Sequence, residues 1–288
     1  MSIKYKEQTY KVAIVTPAGR EKYMSVLKPF IYKKIKEGLI DEWQLWKNTV
    51  NEGDIAYLES MAEENSKVKI YTIDEEITPT WDDYNALQTF KFFKYSHDDD
   101  TIYIRFDDDI VWVEEGCIEK ICKARIDNPD AYLIVPNTIN STLFTSWHQE
   151  IAALSEEAGA CARYNASYPD QAYLCEFTYA NSELIDLIHN TFKKRHKENT
   201  LSAYYMPNKE FTEYQRFSIC SIAWWGKDKI APGYIEEPQL AYEIPITLGR
   251  PNFFVGNALC LHYSYHTQRD YLTSNGDEHL EFYRKINK

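Results

Sequence analysis

The 288-residue sequence predicts an α/β protein: one mixed central sheet, helices on both faces, and a nucleotide-binding style of half-sheet at the N-terminal end. Three observations predict it. Strand-like and amphipathic helical stretches alternate through the first 110 residues. A strand at 101–106 runs straight into Asp107, Asp108 and Asp109. A late apolar strand, 253–261, delivers His262.

Tyr10 to Thr16 is a β-branched run closed by Pro17-Ala18-Gly19-Arg20, a buried strand followed by a turn. From Glu21 to Glu37, Tyr23, Leu27, Phe30, Ile31 and Ile35 share a helical face opposite Lys28, Lys33, Lys34 and Lys36. Pro29 is expected to kink or restart that helix. Glu42 to Thr49 reads as a second strand, Asp54 to Glu64 as a helix and Lys67 to Asp74 as a third strand. Thr80 to Asp83 has capping-box spacing and opens a helix to about Tyr95. In the fourth strand Ile102, Ile104 and Phe106 alternate with Tyr103 and Arg105. The order to residue 110 is β-α-β-α-β-α-β. Its first turn is neither GxGxxG nor GxxxxGK[ST], which argues against a dinucleotide enzyme or a P-loop ATPase.

After the acids, Glu114 to Lys123 is a short helix and Asn128-Pro-Asp130 turns into a strand, Ala131 to Val135. A helical piece spans Gln149 to Glu157, a strand Leu174 to Tyr179 and a helix Ser182 to His196. The segment Phe211 to Trp225 leads to Asp228 and to Glu236-Glu237-Pro238, and the strand Phe253 to Leu261 follows. Nothing marks a domain boundary. One domain over 1–288 is expected: a half-sheet to 110, a second half over 111–273 and a looser tail over 274–288.

Composition bounds the function. The formal net charge of −12 argues against nucleic acid as a partner, since phosphate backbones call for a basic surface. Six cysteines, Cys117, Cys122, Cys161, Cys175, Cys220 and Cys260, lack CxxC spacing, so buried thiols and no zinc site are expected. No run approaches a membrane span and the N-terminus lacks an apolar signal core, so a cytoplasmic protein is expected. The sequons at Asn140 and Asn165 are then chance matches.

Three adjacent acids at a strand end repel one another and call for a cation. In open α/β sheets ligands bind beyond the carboxyl ends of strands. Asp-x-Asp there offers oxygen ligands to Mg²⁺ or Mn²⁺. With the order of elements and the histidine at 262, these residues resemble the nucleotide-sugar-dependent glycosyltransferases of the GT-A fold. The likeness spans most of the chain as an order of elements, and is specific at 101–114 and 257–271.

The resemblance implies a GT-A type mixed sheet with a Rossmann-like N-terminal half. It implies a sugar moved from a nucleoside-diphosphate sugar, UDP by default, to a glycan or other hydroxyl acceptor, with Mn²⁺ or Mg²⁺. Asp109 would ligate the metal, Asp107 would meet it through water or touch the ribose, and Asp108 would adjoin the donor. His262 would complete the metal shell, with His266 as rival; the strand runs directly into His262. Arg269 would lie against the diphosphate. Thr16, Pro17, Ala18 and Arg20 resemble the nucleoside loop. Asn48 stands where the fold often has an acid, and Asp83 and Asn85 are further donor contacts. An inverting enzyme needs a general base, for which Glu237 is first choice, then Asp228, with Glu236 beside it. A retaining enzyme needs none. Trp224 and Trp225 could stack on an acceptor sugar.

Three other classes compete. A sugar nucleotidylyltransferase shares the sheet but wants a Gly-rich first turn with Arg, which Thr16-Pro17-Ala18-Gly19-Arg20 does not supply. Phe106 to Val111 also fits the hhhDxDx[TV] motif of haloacid-dehalogenase-type phosphatases, with Asp107 as nucleophile and Asp109 as acid. That motif normally closes the first strand, whereas three strands precede it here. A non-catalytic carbohydrate-binding protein would explain the aromatics but not the acids with a terminal histidine.

Overall fold

The computed structural model describes residues 3–5, 8–72, 91–159, 181–211, 216–228 and 237–287. Its strands are β1 (Ile3–Tyr5), β2 (Gln8–Ala18), β3 (Glu42–Lys47), β4 (Val68–Tyr71), β5 (Thr101–Phe106), β6 (Ile110–Val113), β7 (Ile134–Ile139), β8 (Lys209–Glu210), β9 (Ser221–Trp225) and β10 (Phe253–His262). Its helices are α1 (Glu21–Lys36), α2 (Glu52–Glu64), α3 (Cys117–Asp127), α4 (Thr142–Glu150), α5 (Ser182–Lys197), α6 (Ile244–Leu248), α7 (His266–Ser274) and α8 (Glu278–Ile286).

The strands form one 10-stranded mixed sheet in the order β4-β3-β2-β5-β9-β7-β10-β6, with β1 beside β2 and β8 beside β10. The first four are parallel to one another. β9 is antiparallel to β5, and β6 antiparallel to β10. This is the mixed α/β architecture the sequence predicts, with strands of both halves in one sheet.

The period-2 pattern of β5 separates two cores rather than core from solvent. Ile102 and Ile104 pack with Val12, Ile14 and helices α1, α2 and α3. Tyr103 packs with Ala13, Val15, Ile222 and Trp224 on the other face. A central strand covered on both sides must bury whatever it carries. Even Arg105 is therefore only 2% exposed.

Several boundaries differ from expectation, each for a local reason. α1 runs unbroken through Pro29, burying Tyr23, Leu27, Phe30, Ile31 and Ile35 on one face. The strand expected at Ala131–Val135 is β7, because Arg125 binds the carbonyl oxygens of Ala131 and Tyr132 and holds them in a turn. The helix expected at Gln149–Glu157 is α4, already ended at Glu150 by the left-handed Ala152 (φ 56°). The expected loose tail is α8, which docks Leu280 and Tyr283 into a third core with Leu261 and Tyr263. The strand expected at 174–179 and most of the helix from Thr80 lie outside the described residues; of the latter, Lys91–Lys94 form one 3₁₀ turn.

Candidate active site

The three acids form the turn between β5 and β6. The Asp107 N–H donates to the Cys220 carbonyl (2.9 Å) and the Ile110 N–H to the Asp107 carbonyl (3.0 Å). The chain thus passes from the middle of the sheet to its far edge. There the Tyr263 N–H donates to the Asp109 carbonyl (2.8 Å), and His262 stands opposite Ile110 after a register shift in β10. Pairing of β6 with β10 is therefore what brings His262 to the acids.

Each carboxylate has different partners. Asp107 Oδ1 accepts from Arg105 Nε at 2.5 Å. Asp108, 4% exposed, accepts from the Gly19 N–H (3.1 Å) and from Arg20 Nε (3.0 Å) and Nη2. Asp109, 2% exposed, meets Arg20 Nη2 at 2.8 Å and Arg269 Nη2 at 3.4 Å through Oδ2. Its Oδ1 has no hydrogen bond and stands 3.3 Å from His262 Nε2. Burial alone would raise the Asp109 carboxyl. Arg20, His262 and Arg269 outweigh it and hold Asp109 well below the usual carboxylate range.

The first turn is locked from two sides. A Cβ on Gly19 would lie 2.3 Å from the Asn48 carbonyl oxygen, so only glycine fits between the ends of β2 and β3. Gly19, Pro17, Arg20 and Asn48 line an open cavity of about 510 Å³, with Asp107, Asp108 and Arg269 across it. Thr49, Val50, Asn51 and Asp54 complete its wall. Two buried donors beside this cavity, Arg20 Nη1 and Arg269 Nε, have no hydrogen-bond partner. Such orphans are costly unless an acceptor reaches them, and an anionic ligand is the natural acceptor.

His262 Nδ1 lies 3.2 Å from the Asn140 carbonyl oxygen. A carbonyl only accepts, so Nδ1 carries a proton, which leaves Nε2 as the nitrogen that would ligate a metal beside Asp109. Two ligands about 2.1 Å from one octahedral ion stand roughly 3 Å apart. The buried Asp109 Oδ1 and His262 Nε2 therefore fit one divalent cation at adjacent positions. Among the described residues no group of three or more His, Cys, Asp or Glu could hold a metal. Asp107, expected to meet the metal through water or to touch the ribose, is held by Arg105 and lines the cavity. His266 is exposed at the first position of α7.

Other expected contacts are displaced. Thr16 is fully buried, its hydroxyl accepting the Trp43 indole N–H (2.9 Å), and belongs to the core. Ala18 is buried too and contributes its carbonyl to Asn48 N–H (2.7 Å). Asp108 clamps the first turn with both oxygens while lining the cavity. Asp228 lies at the other end of the sheet, since Ser221 faces Phe106 but Trp225 faces Ile102. Four residues of strand separate the two ends by roughly 13 Å. There Asp228 meets Arg250 (3.3 Å) and Arg125 (4.0 Å), and it cannot serve the site as a base. Trp224 is fully buried against Tyr103 and Phe93, and Trp225 is 6% exposed against Tyr10, so neither is an acceptor platform. Asp83, Asn85 and Glu236 lie outside the described residues.

Glu237 lies near Arg105 and the Ile219 backbone, toward the end of the sheet that carries the acids. Its Oε1 accepts from Arg216 Nε at 2.7 Å. Burial pushes its carboxyl above the usual range, opposed by Arg216 and by Arg105, the same arginine that holds Asp107. Sequence reasoning passed over Arg105 and Arg216 and met Asn140 only as a chance sequon. A lone Arg in an otherwise apolar strand was the available signal for the first. Asn140, buried on three oxygen partners, is a structural residue and no glycosylation site. Cys117, Cys122, Cys220 and Cys260 are buried free thiols, as expected. No helix among the described residues is long and apolar enough to cross a membrane.

No protein-family model matches the chain, and no curated protein does. Solved structures with a similar course include glucosyl-3-phosphoglycerate synthase from Mycobacterium tuberculosis in complex with Mn²⁺, UDP and glucosyl-3-phosphoglycerate. It is 13% identical over 96% of this chain and 80% of that one, with a TM-score of 0.47. A 4-diphosphocytidyl-2C-methyl-D-erythritol synthase from Anaerococcus prevotii is 14% identical over 93% and 97%, with a TM-score of 0.43. Likenesses this distant leave the function to be read from the site.

Proposed function

We propose that the chain is a metal-dependent glycosyltransferase that moves a sugar from a nucleoside-diphosphate sugar, a UDP-sugar by default, to a hydroxyl acceptor. One observation carries this: the buried Asp109–His262 pair is in contact, through Asp109, with Arg20 and Arg269, two arginines with unpartnered N–H groups that line one cavity. A cation seat and an anion seat side by side suit a metal-bound diphosphate.

The residues divide the work by chemistry. Asp109 and His262 would hold the divalent ion, whose contribution when bound is Lewis-acid stabilisation of the leaving diphosphate. Arg20 and Arg269 meet the charge that builds on the phosphates as the sugar departs. Pro17, Gly19, Asn48 and their neighbours form the wall for the nucleoside. Asp108 keeps that wall in place. Glu237 is the candidate base: a carboxyl raised by burial takes a hydroxyl proton more readily near neutral pH than an ordinary one.

Calorimetry with UDP, with and without Mn²⁺, tests the proposal. Binding that requires the metal is expected. Hydrolysis of p-nitrophenyl phosphate with no affinity for UDP would favour the phosphatase and overturn it.

A further inference from the structure

We infer that Asn140 is a positioning residue that fixes the imidazole of His262 with Nε2 toward Asp109 and straps the start of the helix carrying Arg269; the inference rests on the proposed role of that pair. β7 and β10 run parallel with Ile139 opposite Leu261, so the residue that ends β7 lies beside His262. Asn140 takes a left-handed turn there (φ 62°) and is fully buried. Asparagine tolerates this conformation better than other residues with a side chain.

The contacts are reciprocal. The Asn140 carbonyl oxygen accepts from His262 Nδ1 (3.2 Å), which sets the tautomer. The Asn140 side chain holds the backbone that follows: Nδ2 lies 3.2 Å from the carbonyl oxygens of His262 and Tyr263 and 3.3 Å from Gln268 Oε1. Two N–H protons are shared among three acceptors, so the amide clasps a turn rather than making one strong bond. Gln268 Oε1 also accepts the Tyr265 N–H (3.0 Å), closing the first turn of α7, whose next residue is Arg269. Tyr265 in turn packs edge-on against the His262 ring (4.8 Å between centroids) and accepts the Thr142 N–H (3.1 Å). One side chain thereby ties the histidine and the arginine of the site to the same strand end. Groups that orient a ligating histidine through its other nitrogen affect metal affinity by about 10–100-fold.

Asn140→Gly is the informative variant, because glycine keeps the backbone turn and the carbonyl while deleting the amide. In ¹H–¹⁵N NMR the His262 Nδ1 proton should exchange with solvent faster in the variant, because the amide no longer holds the turn that presses the ring against the retained carbonyl. Mn²⁺ affinity, read by electron paramagnetic resonance, should fall about tenfold or more. An unchanged exchange rate and an unchanged affinity in a folded Asn140→Gly would overturn the inference. If the parent binds no Mn²⁺, the proposed function fails, and the exchange readout alone decides the role of Asn140. Should Asn140→Gly not fold, Gln268→Met removes one of the three acceptors and is read by the same exchange rate, an increase supporting the clasp and no change overturning it.

Discussion

His262 Nε2 stands 3.3 Å from Asp109 Oδ1, and neither atom has another hydrogen-bonding partner among the described residues. The pair comes from β10 and from the turn after β5, joined only because β6 crosses to the far edge of the sheet. If these atoms share a divalent ion, His262→Ala should weaken Mn²⁺-dependent UDP binding by at least tenfold in calorimetry. UDP binding measured without metal should not change. Equal losses with and without Mn²⁺ would assign His262 to the nucleotide rather than to the ion.

The two arginines at Asp109 should separate by stability. Arg20 pairs with both Asp108 and Asp109, which are 4% and 2% exposed, so Arg20→Ala strands two buried charges. Breaking such a pair costs about 3–5 kcal/mol. Arg269 is 37% exposed at its side chain and only 3.4 Å from Asp109. Its removal should lower stability by less than about 1 kcal/mol while weakening UDP binding severalfold. Urea unfolding together with calorimetry on both variants checks this; a similar stability loss in the two would refute the division of roles.

Glu237 and Asp228 were rivals for the base in the sequence, and the structure separates them by the length of a strand. Glu237→Gln should abolish turnover by a factor of about 10²–10⁴. The parent should lose kcat/KM as pH falls, with its acid limb above the usual carboxylate value near 4.3, because burial raises Glu237 and only the ionised form accepts a proton. Asp228→Asn should leave kcat within about twofold, since its partners Arg125 and Arg250 lie at the opposite sheet end. A full loss in Asp228→Asn with Glu237→Gln still active would invert the assignment.

The parallel half-sheet was legible because β2 carries a β-branched run and β5 places Ile102, Ile104 and Phe106 at alternating positions, patterns that announce themselves locally. So was the strand delivering His262. The antiparallel crossing of β6 was not, since Ile110–Val113 carries no mark of which strand it joins; that choice is made by β10, far along the chain. The same gap explains Asp228. Residue type and spacing made it plausible for chemistry, but the reversed direction of β9 carries it to the opposite end of the sheet. Trp224 and Trp225 show a further limit of composition: an aromatic pair beside Ile222 and Ala223 serves a sugar or a core equally well on paper, and the double-covered sheet uses it for core. Asn140 stood out only as a chance sequon because its value lies in backbone conformation and three long-range acceptors, none of which a local pattern encodes.

Acid should weaken the fold through His148, which is 1% exposed on α4 beside the β7–β10 crossing. Its Nε2 lies 2.8 Å from Asn137 Oδ1, while Asn137 Nδ2 is committed to the carbonyl oxygens of Tyr204 and Gly256. The amide therefore presents an acceptor, His148 donates to it, and the neutral ring is satisfied. Burial, with Arg195 nearby, lowers its pKa to about 3. The unfolded chain would protonate this ring near pH 6.5, so below that value the unfolded state binds the extra proton and stability falls with falling pH. The loss continues until the folded pKa near 3, with a slope of at most about 1.4 kcal/mol per pH unit from this residue. His148→Gln retains a donor for Asn137 but does not titrate. Urea midpoints between pH 7 and pH 5 should fall less steeply in that variant than in the parent. Parallel slopes would mean that other groups, such as the equally buried His189, carry the acid sensitivity.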